Sequence, residues 1–224
     1  MTQTLNWCQE LEVEFISVKQ PGPDPILCQA LEHHGFYVTD NVVRLIRPSG
    51  QAAPEINFTE GFAFSSQIDD PAATARVFHR LFYDGRFHND AAIPEETADL
   101  LWETAIKNQL DGGADHFLIL EHEAKPIGLV TIQKLENNAQ DQDHPPGSVF
   151  VLGVLEKFRN RGWGRLLLAE AIRRYQRNYS RLIVETSTFN HPAIRLYLSL
   201  GFQWDGFKLS LHWRRSLEER PLGR

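Results

Sequence analysis

The residues best placed to do chemistry are Arg159-Asn160-Arg161-Gly162-Trp163-Gly164, followed by Arg165. They follow an apolar run, Val149-Phe150-Val151-Leu152, and precede a helical stripe of Leu167, Leu168, Ala171, Ile172 and Tyr175. A strand feeding a glycine-containing turn at a helix N-terminus makes an anion site. Successive backbone N–H groups point outward there, and the helix dipole adds partial positive charge. Gly162 and Gly164 let a ligand approach the backbone without a Cβ in the way. Arg159, Arg161 and Arg165 add full charges, and a pyrophosphate is the natural ligand. The loop has neither the Lys-Ser/Thr pair of a nucleotide P-loop nor Gly-x-Gly-x-x-Gly. Read alone, the same residues also describe a helix start with surface arginines.

A second constellation lies at Asn190, Ala193, Tyr197 and Gly201-Phe202. Tyr197 falls on the stripe Ala193, Leu196, Tyr197, Leu200, so periodicity alone makes it a core residue. Asn190 is in place as a helix cap. A third is the loop Arg86-Phe87-His88 between two helical patterns. It combines a charge, an aromatic plate and a polar ring, which suits a phosphorylated or sugar ligand. The same loop reads equally as a packing anchor beside a solvated arginine. Glu121, His122, Glu123 and Glu185 are the acidic and imidazole groups that a proton-transfer step would draw on, with a water relay as the alternative.

The elements that hold these groups are legible from pattern. Residues 26–34 read as a helix and 37–46 as a strand, with a turn region at 48–54. Strands are expected at 62–67, 117–121, 127–133, 148–155, 182–186 and 207–213. Helices are expected at 71–83, 94–108, 166–176 and 192–200. Residues 137–147 form a polar loop, and the tail from 216 is expected to fray. This alternation is an α/β (α+β) fold on a mixed sheet with flanking helices. There is also an internal echo. Aligning Gly35-Phe36 with Gly201-Phe202 sets Leu31 against Tyr197 and Val43 against Leu209. Helix, Gly-Phe and strand recur in both, so residues 1–60 read either as a degenerate copy of the last third of the chain or as common punctuation.

Composition sets bounds. The 224 residues are 42% hydrophobic, enough for a core, and the formal charge of −6 argues against nucleic acid as the main partner. Cys8 and Cys28 are read as reduced thiols, with no metal-ligand spacing. No basic start with an apolar run and no span-length apolar stretch appears, so a cytoplasmic protein without membrane insertion is expected.

Arg/Gln-x-x-Gly-x-Gly/Ala after an apolar strand resembles the pyrophosphate loop of the GNAT superfamily of N-acetyltransferases. Asn-x-x-Ala-x-x-x-Tyr-x-x-x-Gly-Phe at residues 190–202 resembles that superfamily's second motif. The resemblance covers roughly residues 62–214. It implies a mostly antiparallel GNAT sheet at 61–215, preceded by a small partial GNAT-like domain at 1–60 and followed by a flexible tail at 216–224. It implies acetyl-CoA as cosubstrate, held by Leu152, Gly153, Val154, residues 159–165, Asn190, Ala193 and Tyr197. It places a strand bulge near Leu152-Gly153, whose amides meet the thioester carbonyl, and makes Tyr197 the general acid. Phe82, Arg86 and Phe87, with Trp102 beyond them, resemble bacterial nucleotide-sugar acetyltransferases acting on dTDP-fucosamine. That implies an acceptor amine on a nucleotide-linked amino sugar, bound by Arg86, Phe87 and His88. A protein N-terminus or small amine is the alternative acceptor, and a non-catalytic acyl-CoA sensor the alternative of another class. A homodimer is compatible with these expectations.

Overall fold

The computed structural model describes residues 6–8, 10–22, 24–56, 61–83, 85–135 and 144–215. The expected tail and most of the 137–147 loop lie outside them. In chain order the elements are β1 (Phe15–Pro21), α1 (Pro25–His33), β2 (Tyr37–Pro48), β3 (Phe62–Ser65), α2 (Pro71–Phe78), α3 (Glu95–Asn108), β4 (His116–His122), β5 (Lys125–Lys134), β6 (Gly147–Val154), α4 (Trp163–Tyr175), β7 (Arg181–Ser187), α5 (His191–Ser199) and β8 (Gln203–Arg214). One mixed sheet runs β1-β8-β2-β7-β6-β5-β4-β3. Every pairing is antiparallel except β6 with β7, which is parallel and short. The fold is therefore the mixed, mostly antiparallel α/β architecture expected.

Local chemistry sets the element ends. Asp24, Asp70 and Asn190 cap α1, α2 and α5 by accepting from Ile26 N, Ala73 N and Ala193 N, with a proline first in α1 and α2 and second in α5. Apolar alternation along the strands feeds both faces of the sheet. Leu118, Leu120, Val130 and Ile132 pack against Leu167, Leu168 and Ile172 of α4. Their neighbours Ile119, Leu129 and Val151 pack on the opposite face against Ala75, Phe78 and Ile106 of α2 and α3.

The larger differences from the sequence reading are one added strand and three shifted element ends, the remaining ends moving by one or two residues. β1 was not expected, because Ile16 and Val18 give too short an apolar alternation. It forms by pairing along its whole length with β8. α2 stops at Phe78 and continues as a 3₁₀ turn over His79–Leu81. α4 starts at Trp163, three residues before the expected 166, and β8 starts at Gln203, four before the expected 207. Among the described residues no helix is long and apolar enough to cross a membrane.

Adding 166 to the bounds of β1, α1 and β2 gives the bounds of β7, α5 and β8. The caps correspond, Asp24 with Asn190. Gly35 and Gly201 follow the helices at φ 83° and 84°. Phe36 N donates to Leu31 O and Phe202 N to Tyr197 O, at 3.0 and 3.1 Å. The pairing obeys the same offset. Tyr37↔His212 mirrors Ile46↔Gln203, and Asn41↔Leu209 mirrors Val43↔Phe207, so β2 and β8 cross about a local two-fold at Val42↔Lys208. Phe15↔Arg214 on the outer side mirrors Pro48↔Arg181 on the inner. Each unit thus lends a strand to the other, and residues 15–48 build the same sheet as the rest of the chain.

Candidate functional site

The site begins where two strands part. β6 and β7 pair only from Gly147↔Leu182 to Val149↔Val184. Beyond that β7 keeps its partner β2, while β6 keeps β5. Val151 N donates to Thr131 Oγ1 at 3.2 Å, and Leu155 N donates to Ile127 O at 2.8 Å. These odd-numbered amides face β5. By strand alternation Leu152 and Val154 turn their N–H and C=O groups to the other edge, into the gap. Arg159 Nε donates to Val154 O at 3.1 Å, bracing that edge from the following loop.

The bulge in β6 does not lie at Leu152-Gly153, as expected. The register steps from Thr131↔Val151 to Ile132↔Val149, leaving Phe150 as the extra residue. Gly153 is small for a different reason. A Cβ there would sit inside van der Waals contact of Leu81 Cδ1 and 3.0 Å from its Cγ. The bulged residue Phe150 comes directly after Val149, the last residue of β6 paired with β7.

Past β6 the chain makes a left-handed pair of turns, with Asn160 at φ 60° and Gly162 at φ 84°. Gly162 is the residue before α4, and no side chain caps the helix. Its first amides therefore stay available as donors beside the positive end of the dipole. Asn160, Arg161 and Arg165 are exposed around them. Trp163 stacks on Phe62 of β3 at 3.8 Å between centroids. A Cβ on Gly164 would meet Leu196 at 3.2 Å, so this glycine lets α4 lie close to α5.

Across the gap opens a cavity of about 290 Å³. Leu152 lines it from β6, Glu185 from β7, and Asn190, Ala193 and Tyr197 from α5. Tyr197 is 7% exposed, and burial pushes its phenol well above the ordinary value, so it stays protonated across the physiological range. The far wall is Phe82, Arg86, Phe87 and Trp102, with Phe82 and Trp102 stacked at 4.1 Å. Arg86 lies over the Phe87 ring at 4.4 Å.

The sequence of the Acetyltransferase (GNAT) family matches the chain over residues 77–202. The chain belongs to the GNAT acetyltransferase family. Solved structures agree on the fold. A GCN5-related N-acetyltransferase from Sphaerobacter thermophilus is 14% identical with a TM-score of 0.63, over 95% of this chain and 67% of that one. One from Kribbella flavida is 15% identical at 0.63, over 94% and 73%. A tandem GNAT protein from the clavulanic acid biosynthesis pathway is 14% identical at 0.60, over 95% and 67%. No curated protein matches the chain in sequence. The GNAT match runs from the end of α2 through α5, including both strands that border the gap, and it makes the chain an N-acetyltransferase.

Placed on this GNAT fold, the expected cofactor residues fall into two groups. Leu152, Asn190, Ala193 and Tyr197 meet at the cavity, while Asn160, Arg161, Gly162 and Arg165 gather at the start of α4. Arg159 is divided, its Nε spent on Val154 O and its guanidinium 5.5 Å from the Tyr83 ring. Of the acceptor trio, Arg86 and Phe87 line the cavity. His88 Nε2 instead faces Asp99 Oδ1 at 3.1 Å. Of the acidic and imidazole groups, only Glu185 reaches the cavity, ion-paired with Lys208. His122 packs on Phe62 at 4.5 Å, at the β4 end.

The sequence reading missed three charged residues of the cavity, Lys19, Asp40 and Lys208. Asp40 was detectable in principle, because Asp40-Asn41 breaks an apolar strand. It is buried and accepts from Ser187 Oγ at 2.9 Å. Lys19 sits on the strand that pattern did not reveal. The reading also missed what anchors the acceptor loop. Asp90 Oδ2 accepts from Tyr37 OH at 2.9 Å and from His212 Nδ1 at 2.8 Å, with Asp90 and His212 both buried. Burial raises the Asp90 carboxyl, but the bonds from His212, the Ala92 amide and Tyr37 outweigh it and hold the carboxyl below its usual value. Burial lowers the His212 imidazole and, with the Asp90 bond, pushes the Tyr37 phenol to about 12.

Proposed function

We propose that this enzyme transfers acetyl from acetyl-CoA to the amino group of a nucleotide-linked amino sugar by direct attack on the thioester. The observation that carries the transfer is the gap between β6 and β7, which joins the uncapped start of α4 to a cavity lined by Leu152 and Tyr197. Amides of residues 163–165, with Arg161 and Arg165, take the pyrophosphate of coenzyme A. The pantetheine arm follows the gap beside Asn190 and Ala193, which brings the thioester to Leu152.

The Leu152 N–H donates to the carbonyl oxygen as negative charge develops there, the preorganised donor that acyl transfer needs. The acceptor nitrogen attacks the carbonyl carbon from the cavity side and a C–N bond forms. As the C–S bond breaks, the Tyr197 hydroxyl gives its proton to the departing sulfur. The ammonium proton leaves to Glu185 or through water. The nucleotide-sugar assignment is supported by the wall of Phe82, Arg86, Phe87 and Trp102, which pairs aromatic faces with a cation. The test is coenzyme A release with dTDP-linked 4-amino-4,6-dideoxy sugars, polyamines and peptides as acceptors. The sugar reading stands if the nucleotide sugars give the highest kcat/KM, and falls if a polyamine or peptide does.

A further inference from the structure

The acceptor loop carries a buried carboxylate that the transfer step does not use. Asp90 is 2% exposed. Its Oδ1 accepts from Ala92 N at 2.9 Å and so shapes the chain that leads to α3. Its Oδ2 faces the sheet, where Tyr37 OH and His212 Nδ1 donate to it. Arg214 Nε stands 3.9 Å from the same oxygen. Burying a carboxylate is unfavourable unless donors satisfy it. Here three donors do so, and hydrogen bonds to an ionised acceptor are the stronger kind. The loop therefore has a fixed point on the sheet.

His212 holds the loop a second time. Its ring is fully buried and stacks with Phe87 at 5.8 Å between centroids, with Phe15 and Tyr37 edge-on around it at 4.7 and 6.3 Å. Phe87 in turn carries the Arg86 guanidinium, and both residues line the cavity. One imidazole thus braces Phe87 by its face and Asp90 by Nδ1. Inside the loop, Asn89 N donates to Gly85 O and Ile93 N to Asp90 O, which sets its turns but not where it sits. Tyr37 and His212 face each other across β2 and β8, one from each of the two strand-helix-strand units. The place of Arg86 and Phe87 is therefore set by both units together.

We infer that Tyr37 and His212, acting through Asp90 and Phe87, are positioning residues that hold the acceptor wall in place before the acceptor arrives. The inference rests on the reading of the cavity as the acceptor site. It gives residues 15–48 a part in acceptor affinity beyond completing the sheet. A wall that must be ordered on binding weakens affinity, while a chemical step at Leu152 and Tyr197 is left alone. Tyr37→Phe keeps the ring and removes one donor. It should raise the acceptor KM about tenfold, the scale of one hydrogen bond to a charged group. kcat and the acetyl-CoA KM should stay near their wild-type values.

The probe acceptor is the dTDP-linked 4-amino-4,6-dideoxy sugar, or the polyamine or peptide with the highest kcat/KM if the sugar reading falls. Two further measurements separate positioning from general packing. In an Arg86→Ala, Phe87→Ala background, which strips the wall, Tyr37→Phe should add nothing to the acceptor KM, because it acts through those residues. Amide hydrogen exchange of Tyr37→Phe should be faster at Asn89, Ala92 and Ile93 and unchanged in β4, β5 and α4. An unmoved acceptor KM, a kcat that falls with it, or a full effect in the stripped background overturns the inference. Unchanged loop exchange with acetylation intact overturns it too and leaves the transfer reading standing. Faster loop exchange in the variant, with no amine acetylated by the wild type, sinks the transfer reading and leaves the loop anchor standing.

Discussion

Leu31 and Tyr197 hold the same place in two interlocked strand-helix-strand units, each accepting at its carbonyl from a Phe amide that follows a glycine. Leu31 closes a small apolar cluster with Phe36, Leu211 and Trp213. Tyr197 stands in the main core and also lines the cavity. The same scaffold position thus serves packing alone in one unit and also sets a tyrosine in the cavity wall in the other. Tyr197→Phe keeps the shape and removes the donor. It should lower kcat about 100-fold or more, the range for loss of a positioned acid, with acetyl-CoA affinity retained. Steady-state kinetics beside calorimetric binding checks this, and an unchanged kcat removes Tyr197 from the proton transfer.

The contact of Gly153 with Leu81 fixes β6 against the turn that follows α2. Gly153→Ala should destabilise by about 1–3 kcal/mol, as overpacking does. Leu81→Ala combined with it should be more stable than the sum of the single effects predicts, because the shortened side chain clears the new Cβ. Urea unfolding of the two single variants and the double variant measures the coupling. Strict additivity would show that the clash is relieved elsewhere.

The start of α4 offers uncapped amides among exposed arginines. Coenzyme A at about 100 times its Kd should stabilise the protein by about 2.7 kcal/mol, or roughly 5–10 °C in Tm for a chain of this size. Arg161→Glu with Arg165→Glu alters only exposed side chains. It should leave the ligand-free Tm in place and cut the coenzyme A shift by more than half. An undiminished shift would move the pyrophosphate away from this loop.

His212 is buried beside Asp90, and burial lowers its pKa below the ordinary 6.5. The unfolded chain therefore binds a proton at His212 more readily than the native one does. Stability from this residue is fully present above about pH 6.5 and is lost as the pH falls toward the depressed native value. The Tm of the wild type should decline more steeply between pH 7 and 5 than that of His212→Gln, which keeps a donor for Asp90. Parallel curves for the two would contradict a neutral buried His212.

Much of this was legible in the chain, for physical reasons that differ by element. The α4 stripe and the glycine loop before it were plain, because helical periodicity and αL glycine leave direct marks. The Asn190 cap was legible from its residue type and place, and Tyr197 lies in the core as its periodicity indicated while also lining the cavity. β1 was hidden because its strand character comes from β8 rather than from its own few apolar residues. Lys19 was lost with it. The bulge at Phe150 was misplaced because the family resemblance set it near Leu152-Gly153, whereas Gly153 answers to Leu81. His88 read as a ligand group from its neighbours in sequence, but its ring is turned to Asp99 on α3. That orientation is set by the fold of the loop onto the next helix, which the residues beside His88 do not show.

The central claim is that the gap between β6 and β7 delivers an acetyl group to an amine in the cavity. Mass spectrometry of a reaction with acetyl-CoA and a dTDP-linked 4-amino-4,6-dideoxy sugar, with coenzyme A release followed in parallel, tests it most directly. The account predicts an acceptor heavier by one acetyl group and thiol release that requires the amine. Acetyl-CoA binding with no amine acetylated, across sugars, polyamines and peptides, would contradict it.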